Sequence, residues 1–277
     1  MSHGDFLSAD SLILQLHRDV QGYAKVVNSS IASAHGGVSP HPLSGGALYA
    51  LTADLFGIHR AVLPLCEDGW AFATVPLLRT MIDFLMNAAV ITEQNPEAEY
   101  RGFKYTHFFL KAQLKETRLP AEFRAGLRMQ LENGIAQLPT GQQQKARYFI
   151  FRERLWSYWY CPEYRRPNEI LNRLLSEEIQ FVYDMFSGGS HGGYLGLSVL
   201  KDEPDLKHPN QRADAKSQNL ALAGSARLLL ETMNIRDHFE NGGANQRVYE
   251  GLLGQLAIVG EKWPMKVRST EHETNRQ

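Results

Sequence analysis

Residues 71 to 92, AFATVPLLRTMIDFLMNAAVIT, are apolar almost throughout, yet they carry two charges, Arg79 and Asp83. A helix this apolar has to be buried, and a charge inside it has to be matched. Arg79 and Asp83 are four residues apart, so on a helix they share one face, and Asn87 continues the same polar seam one turn further on. An Arg placed N-terminal to an Asp at this spacing is the poorer orientation for the helix itself. The pair therefore predicts a tertiary role, either an ion pair that fixes helix register or an anion-binding Arg held in place by Asp83. The stretch is long enough to raise a membrane span, but Pro76, Arg79, Asp83 and Asn87 lie inside it, and charges at mid-span are costly. The expectation is the central helix of a soluble bundle, with no membrane contact.

Helical spacing recurs on either side. Leu12, Ile13, Leu16, Val20, Tyr23 and Val27 predict an amphipathic helix from Asp10 to Ala34, with Asp10 or Ser11 as N-cap. HGGVSPHPLSGG, residues 35 to 46, concentrates turn-forming residues and reads as a loop. Leu48, Leu51, Leu55, Ile58, Val62 and Leu65 alternate spacings of three and four, the seam of a helix packed lengthwise on a neighbour, which Pro64 and Glu67-Asp68-Gly69 end. Asn95-Pro96-Glu97 opens the next helix with a cap, an early proline and an acidic first turn. Further helices are predicted over 120 to 138, 142 to 159, 176 to 187, 213 to 240 and 245 to 262, with CPEYRRPN (161 to 168) and GGSHGG (188 to 193) as breaks and 195 to 211 as a polar excursion. No alternating β pattern and no repeat of fixed period occurs. The predicted fold class is all-α, a multi-helix bundle of about eight or nine helices with no sheet, in a single domain over residues 1 to 262. The tail from 263 to 277 is nearly free of apolar residues and is expected to be disordered.

A net charge of -1 over 277 residues gives no global excess of Lys and Arg to displace counterions, so a constitutive nucleic-acid coat is not expected, while a local patch stays open. Cys66 and Cys161 are too few for a disulfide framework, and MSHGDFLSADS lacks the basic and apolar regions of a secretory leader, so a reducing cytoplasm is expected. Glu-x-x-His, His-Glu-x-x-His, Cys-x-x-Cys, P-loop and Gly-x-Gly-x-x-Gly patterns are all missing, and no metal or cofactor is expected.

The second polar constellation is Tyr183-x3-Ser187-Gly-Gly-Ser190-His191-Gly-Gly. Tyr183 and Ser187 are one helical turn apart, and the glycines allow a ligand or another backbone to approach His191. The order is not the Gly-x-Ser-x-Gly elbow of a hydrolase, so no Ser nucleophile is assigned. Arg79-x3-acid on a central apolar helix, an aromatic and basic helix some twenty residues later, a Trp-rich segment and Tyr183-x3-Ser187-x3-His191-Gly192 together resemble a bacterial all-helical family, domain of unknown function 5677, over roughly residues 45 to 200. The family's acid is usually Glu, so Asp83 is one methylene shorter. The resemblance implies a helical fold and a polar cluster of Arg79, Asp83, Tyr183 and His191, and implies no reaction.

Arg101-Gly-Phe-Lys-Tyr-Thr-His107 matches the Arg-x4-6-His spacing of the helical HEPN (higher eukaryotes and prokaryotes nucleotide-binding) RNases, a weaker resemblance in which Gly102 replaces a commonly polar residue. That chemistry would have His107 exchange the proton of a 2′-hydroxyl while Arg101 steadies phosphate charge, with no metal. The competing reading is a solvated basic face shared with Lys104, Lys111 and Lys115. Residues 145 to 166 interleave six Lys and Arg residues with eight aromatics, which suits either core and interface or the stacking of nucleotide bases.

The function expected from these residues is binding of a small anionic or phosphorylated ligand by Arg79, Asp83, Tyr183, Ser187 and His191. The alternatives are a metal-independent RNase or toxin acting on RNA through Arg101 and His107, and an interaction protein that forms a homodimer.

Overall fold

The apolar stretch forms the buried axis of the fold. In the computed structural model, which describes residues 11–37, 39–93, 95–116, 118–190 and 215–262, Ala71–Thr74 make a short 3₁₀ turn that runs into an α-helix over Val75–Thr92. Pro76 lies in the first turn of that helix, where its missing N–H costs nothing. Thr74 occupies the cap position, but its hydroxyl donates back to the Ala71 carbonyl at 2.5 Å.

Ten α-helices and no strand are present among the described residues: α1 Ser11–Ala34, α2 Pro42–Glu67, α3 Val75–Thr92, α4 Ala98–Leu114, α5 Ala121–Ala136, α6 Thr140–Arg147, α7 Pro167–Leu174, α8 Glu177–Ser190, α9 Ala215–Asn241 and α10 Gln246–Lys262. The fold is all-α. By length and composition α3 could cross a membrane, yet ten of its eighteen residues are buried by protein, and α2, α4, α7, α8 and α9 all pack on it. Leu78, Met81, Ile82, Leu85, Val90 and Ile91 are shielded from solvent, each such side chain contributing roughly 1.5–3 kcal/mol. The long helix α9 packs on α1, α2 and α3 and closes the main core. A second apolar cluster, including Phe103, Leu131, Ile135, Phe149 and Ile150, joins α4 to α5 and the chain after α6.

The structure departs from the sequence expectations in identifiable places. Ten helices replace the eight or nine expected, partly because the eight-residue α7 begins inside the expected break at 161 to 168 and runs on through residues to which no helix is assigned from sequence. The loop expected to reach residue 46 stops at Pro42, where α2 begins. The cause is tertiary: the Glu99 carboxylate on α4 accepts the N–H groups of Leu43 and Ser44 at 3.1 and 3.2 Å, and the Ser44 hydroxyl as well, so a neighbouring helix caps α2. Gly102 makes this approach possible, since a Cβ there would lie 2.5 Å from Ser44 Cα.

The helix expected from 142 to 159 ends at Arg147, passes through a π-turn over Tyr148–Arg152 and gives way to an irregular segment. Helix α8 continues through Gly188 and Gly189 to Ser190, beyond its expected stop at Ser187. The expected excursion at 195 to 211 and the tail from 263 to 277 lie outside the described residues.

Candidate functional site

Arg79 and Asp83 meet as their spacing requires, and a third group joins them from far along the chain. Arg79 Nη1 donates to Asp83 Oδ1 at 2.5 Å. Its Nη2 donates to the Tyr183 hydroxyl at 3.0 Å, and the guanidinium carbon lies 4.1 Å from the Tyr183 ring centroid. Helices α3 and α8 are thus tied by a hydrogen bond and a cation–π contact at one residue. The site opens to one side: the Arg79 side chain is 15% exposed and that of Asp83 45%. Burial pushes the Asp83 carboxyl above its usual range, and the charge and hydrogen bond of Arg79 oppose that shift without cancelling it.

Asn87, one turn further along α3, accepts the Trp159 indole N–H at 2.8 Å. Trp159 meets Tyr105 edge-on at 5.4 Å between centroids and Tyr160 at 5.7 Å. Burial raises the Tyr160 phenol, and the charges of Tyr158, Cys161, Asp83 and Tyr183 add to the effect. Trp159 and Tyr160 were legible only as members of an aromatic run. The nearest sequence signal for their role is Asn87, a polar residue in register with Arg79 and Asp83.

Of the residues predicted to share this site, the structure brings together Arg79, Asp83 and Tyr183. Ser187 lies on α8 one turn after Tyr183, but its side chain, like the whole of His191, lies outside the described residues.

Arg101 and His107 point to different neighbours. Arg101 is buried: Nη1 donates to the Val90 carbonyl at 2.9 Å and pairs with Glu93 at 3.1 Å, while Nε lies 3.7 Å from Glu163, too far for a hydrogen bond. His107 turns to α5. Its Nδ1 is 3.0 Å from the Phe103 carbonyl and 2.8 Å from the Thr106 hydroxyl, and its ring fills the space a side chain at Gly134 would need. Burial lowers the His107 pKa.

The solvated basic face expected around these residues is instead an anchor. Lys104 and Lys111 are fully buried, and their ammonium groups donate to the carbonyls of Cys161 at 3.1 Å and Arg154 at 3.2 Å. Lys115 donates to the Glu153 carbonyl at 2.5 Å. The irregular segment after the π-turn leaves carbonyls without helical partners, and three lysines on one face of α4 satisfy them. Their spacing, two turns and then one, was visible in the sequence, but the carbonyls they serve were not.

Among the described residues no three His, Cys, Asp or Glu side chains converge as metal ligands, and both cysteines are buried and free. The chain matches no family model, no curated protein and no solved structure.

Proposed function

We propose that the Arg79, Asp83 and Tyr183 cluster binds a small anionic or phosphorylated ligand, with Ser187 and His191 of the same segment as further contacts. The observation that carries this reading is the state of the Arg79 fork. A guanidinium offers five N–H donors, and the described residues take two, one through Asp83 and one through Tyr183. The remaining donors sit on a cation whose position is fixed by the helix core, by the carboxylate and by the ring beneath it. Preorganisation of this kind lowers the ordering cost of binding and suits a pair of oxygens on phosphate or carboxylate. Membership of the domain-of-unknown-function family belongs to the same proposal, since its motif residues Arg79, Asp83 and Tyr183 would form one cluster.

Metal-independent RNA cleavage by Arg101 and His107 draws less support, because Arg101 is spent on Val90 and Glu93 and His107 on Phe103 and Gly134. The homodimer reading has no feature that selects a second copy.

The test is calorimetric titration of inorganic phosphate, pyrophosphate and nucleoside monophosphates into wild type, Arg79→Ala and Tyr183→Phe. A charge-assisted hydrogen bond contributes about 1.5–3 kcal/mol, so Arg79→Ala is expected to weaken the best of these ligands by about ten- to a hundredfold. Equal affinity in wild type and Arg79→Ala, with both folded, would remove the proposal.

A further inference from the structure

Residues 147 to 166 contain five arginines against two glutamates, Glu153 and Glu163. The structure divides this segment into an inner and an outer half. Phe149, Trp159, Tyr160 and Tyr164 are core. Arg152, Arg154, Arg165 and Arg166 are exposed, as are Phe151 at 39% and Tyr158 at 42%.

The two acids do not neutralise these arginines. Glu153 accepts the Trp156 indole N–H at 2.6 Å, and Glu163 lies 3.7 Å from both Arg101 and Lys104. No carboxylate pairs with the side chains of the four exposed arginines among the described residues; Arg165 meets Glu169 through its backbone N–H at 2.8 Å. Arg154 stacks instead on Trp156, its guanidinium carbon 3.4 Å from the ring centroid.

The backbone beneath is held down along its length. Running antiparallel to α4, it is fixed by hydrogen bonds from Lys115 to the Glu153 carbonyl, from Lys111 to that of Arg154 and from Lys104 to that of Cys161. Lys115 and Lys104 are eleven residues apart, about 16 Å of helix, so the backbone from Glu153 to Cys161 is a fixed platform of about that length.

We propose that this platform binds single-stranded nucleic acid, with phosphates on Arg152, Arg154, Arg165 and Arg166 and bases stacked on Phe151 and Tyr158. Unpaired arginines select a polyanion, and exposed rings beside them select one with free planar faces. A duplex hides those faces in its stack, and an acidic peptide would leave the rings unused. The inference is independent of the Arg79 site, and the chain's overall charge does not oppose it, because the arginines are concentrated in one short stretch of the chain.

Fluorescence anisotropy of a labelled single-stranded oligonucleotide tests it on the full chain. Each neutralised phosphate on a single strand contributes about -0.7 to the slope of log K against log salt, so four predict a slope near about -2.8 and a loss of about 50-fold between about 50 and 200 mM salt. Arg152→Gln with Arg154→Gln is expected to halve that slope. Phe151→Ala with Tyr158→Ala is expected to weaken binding by about tenfold or more with the slope kept, and Arg79→Ala to leave it unchanged. Thermal melts check that the surface variants fold. No binding at low salt, binding indifferent to the Arg152 and Arg154 changes, or preference for a duplex of equal length overturns the proposal. So does tighter binding to phosphatidylserine vesicles lost in the same variants, which would assign the surface to a membrane.

Discussion

Lowering the pH from about 8 to about 5 is expected to destabilise the fold by about 4 kcal/mol through two residues, His17 of α1 and His59 of α2. Their rings stack at 3.7 Å between centroids, neither is exposed, and His59 Nε2 meets the His17 carbonyl at 3.2 Å, while the Ser225 backbone also lies against His59. Both nitrogens of His17 and Nδ1 of His59 are buried without a side-chain or backbone hydrogen bond. Burial, and for His17 the adjacent His59 as well, lowers the two pKa values to about 3 and about 4 from 6.5. The sign follows directly. Between those values and 6.5 the unfolded chain binds two protons that the folded chain refuses, so stability falls as pH falls. At about pH 5 each histidine accounts for about 2 kcal/mol, and the local slope is about 2.7 kcal/mol per pH unit. Against a total stability of about 5–15 kcal/mol this decides whether the protein survives mild acid. Urea denaturation across this pH range, in wild type and in His17→Leu with His59→Leu, measures the difference in slope. If the two proteins lose stability in parallel, or if the ring protons of His17 and His59 titrate near 6.5 in the folded protein, the reasoning fails.

Other perturbations probe the anchors. Burial lowers Lys111 to about 8 from 10.5, so wild type is expected to gain up to about 3 kcal/mol as the pH rises between those values, a gain that Lys111→Met should abolish in a urea series extended over that alkaline range. Gly102→Ala drives a methyl into the Ser44 backbone, which cannot swing aside as a side chain would, and a loss of about 1–3 kcal/mol with a lower Tm is expected in calorimetry. Arg101→Ala leaves part-buried Glu93 with Arg173, at 2.7 Å, as its remaining cation, so it should cost less than the about 3–5 kcal/mol of a buried charge left unpaired, whereas a cost near zero would mean that the pair is not buried in solution. Anion binding at Arg79 should strengthen as the pH falls, because protonation of Asp83, whose pKa burial already raises, removes the competing negative charge, and Asp83→Asn should bind with that pH dependence gone.

The sequence made the long helices legible because burial imposes the period that was counted, and α1, α3, α9 and α10 occur where it was found. The same counting erred within α2. A seven-residue seam predicted Ile58 and Leu65, but a straight helix drifts against that repeat, and the buried positions are His59 and Cys66. The histidine pair was hidden by that single-residue difference. Arg79 and Asp83 were legible because two charges in an apolar helix violate a local rule. The contact of Arg79 with Tyr183 spans 104 residues, and only a family resemblance suggested it. Helix α7 and the π-turn were missed for a different reason: eight residues carry too little periodicity to count, and the backbone after Arg152 owes its path to lysines on another helix.

Arg236, Arg101 and Arg79 lie against buried surface, and comparing them separates structure from site. Arg236 spends its fork on Glu240 at 2.6 Å, Asn28 at 2.6 Å and Thr52 at 3.0 Å, and it is 4% exposed. Arg101, equally buried, is enclosed by Val90, Glu93 and Glu163. In both, the guanidinium is shut off from solvent and paired with an acid, so a ligand would have to displace a partner, although Arg101 Nε is buried without a hydrogen bond among the described residues. Among the described residues Arg79 has one carboxylate, itself half exposed and raised in pKa by burial, and one phenol. Desolvating a cation without completing its hydrogen bonds is unfavourable, and a fold that needed only a register lock between α3 and α8 could have enclosed it as Arg101 is enclosed. The incomplete fork is what an incoming anion would complete, and its oxygens would replace Asp83 as that carboxyl takes up a proton. Proton uptake on phosphate binding, absent in Asp83→Asn, therefore distinguishes a ligand site from a helix tie.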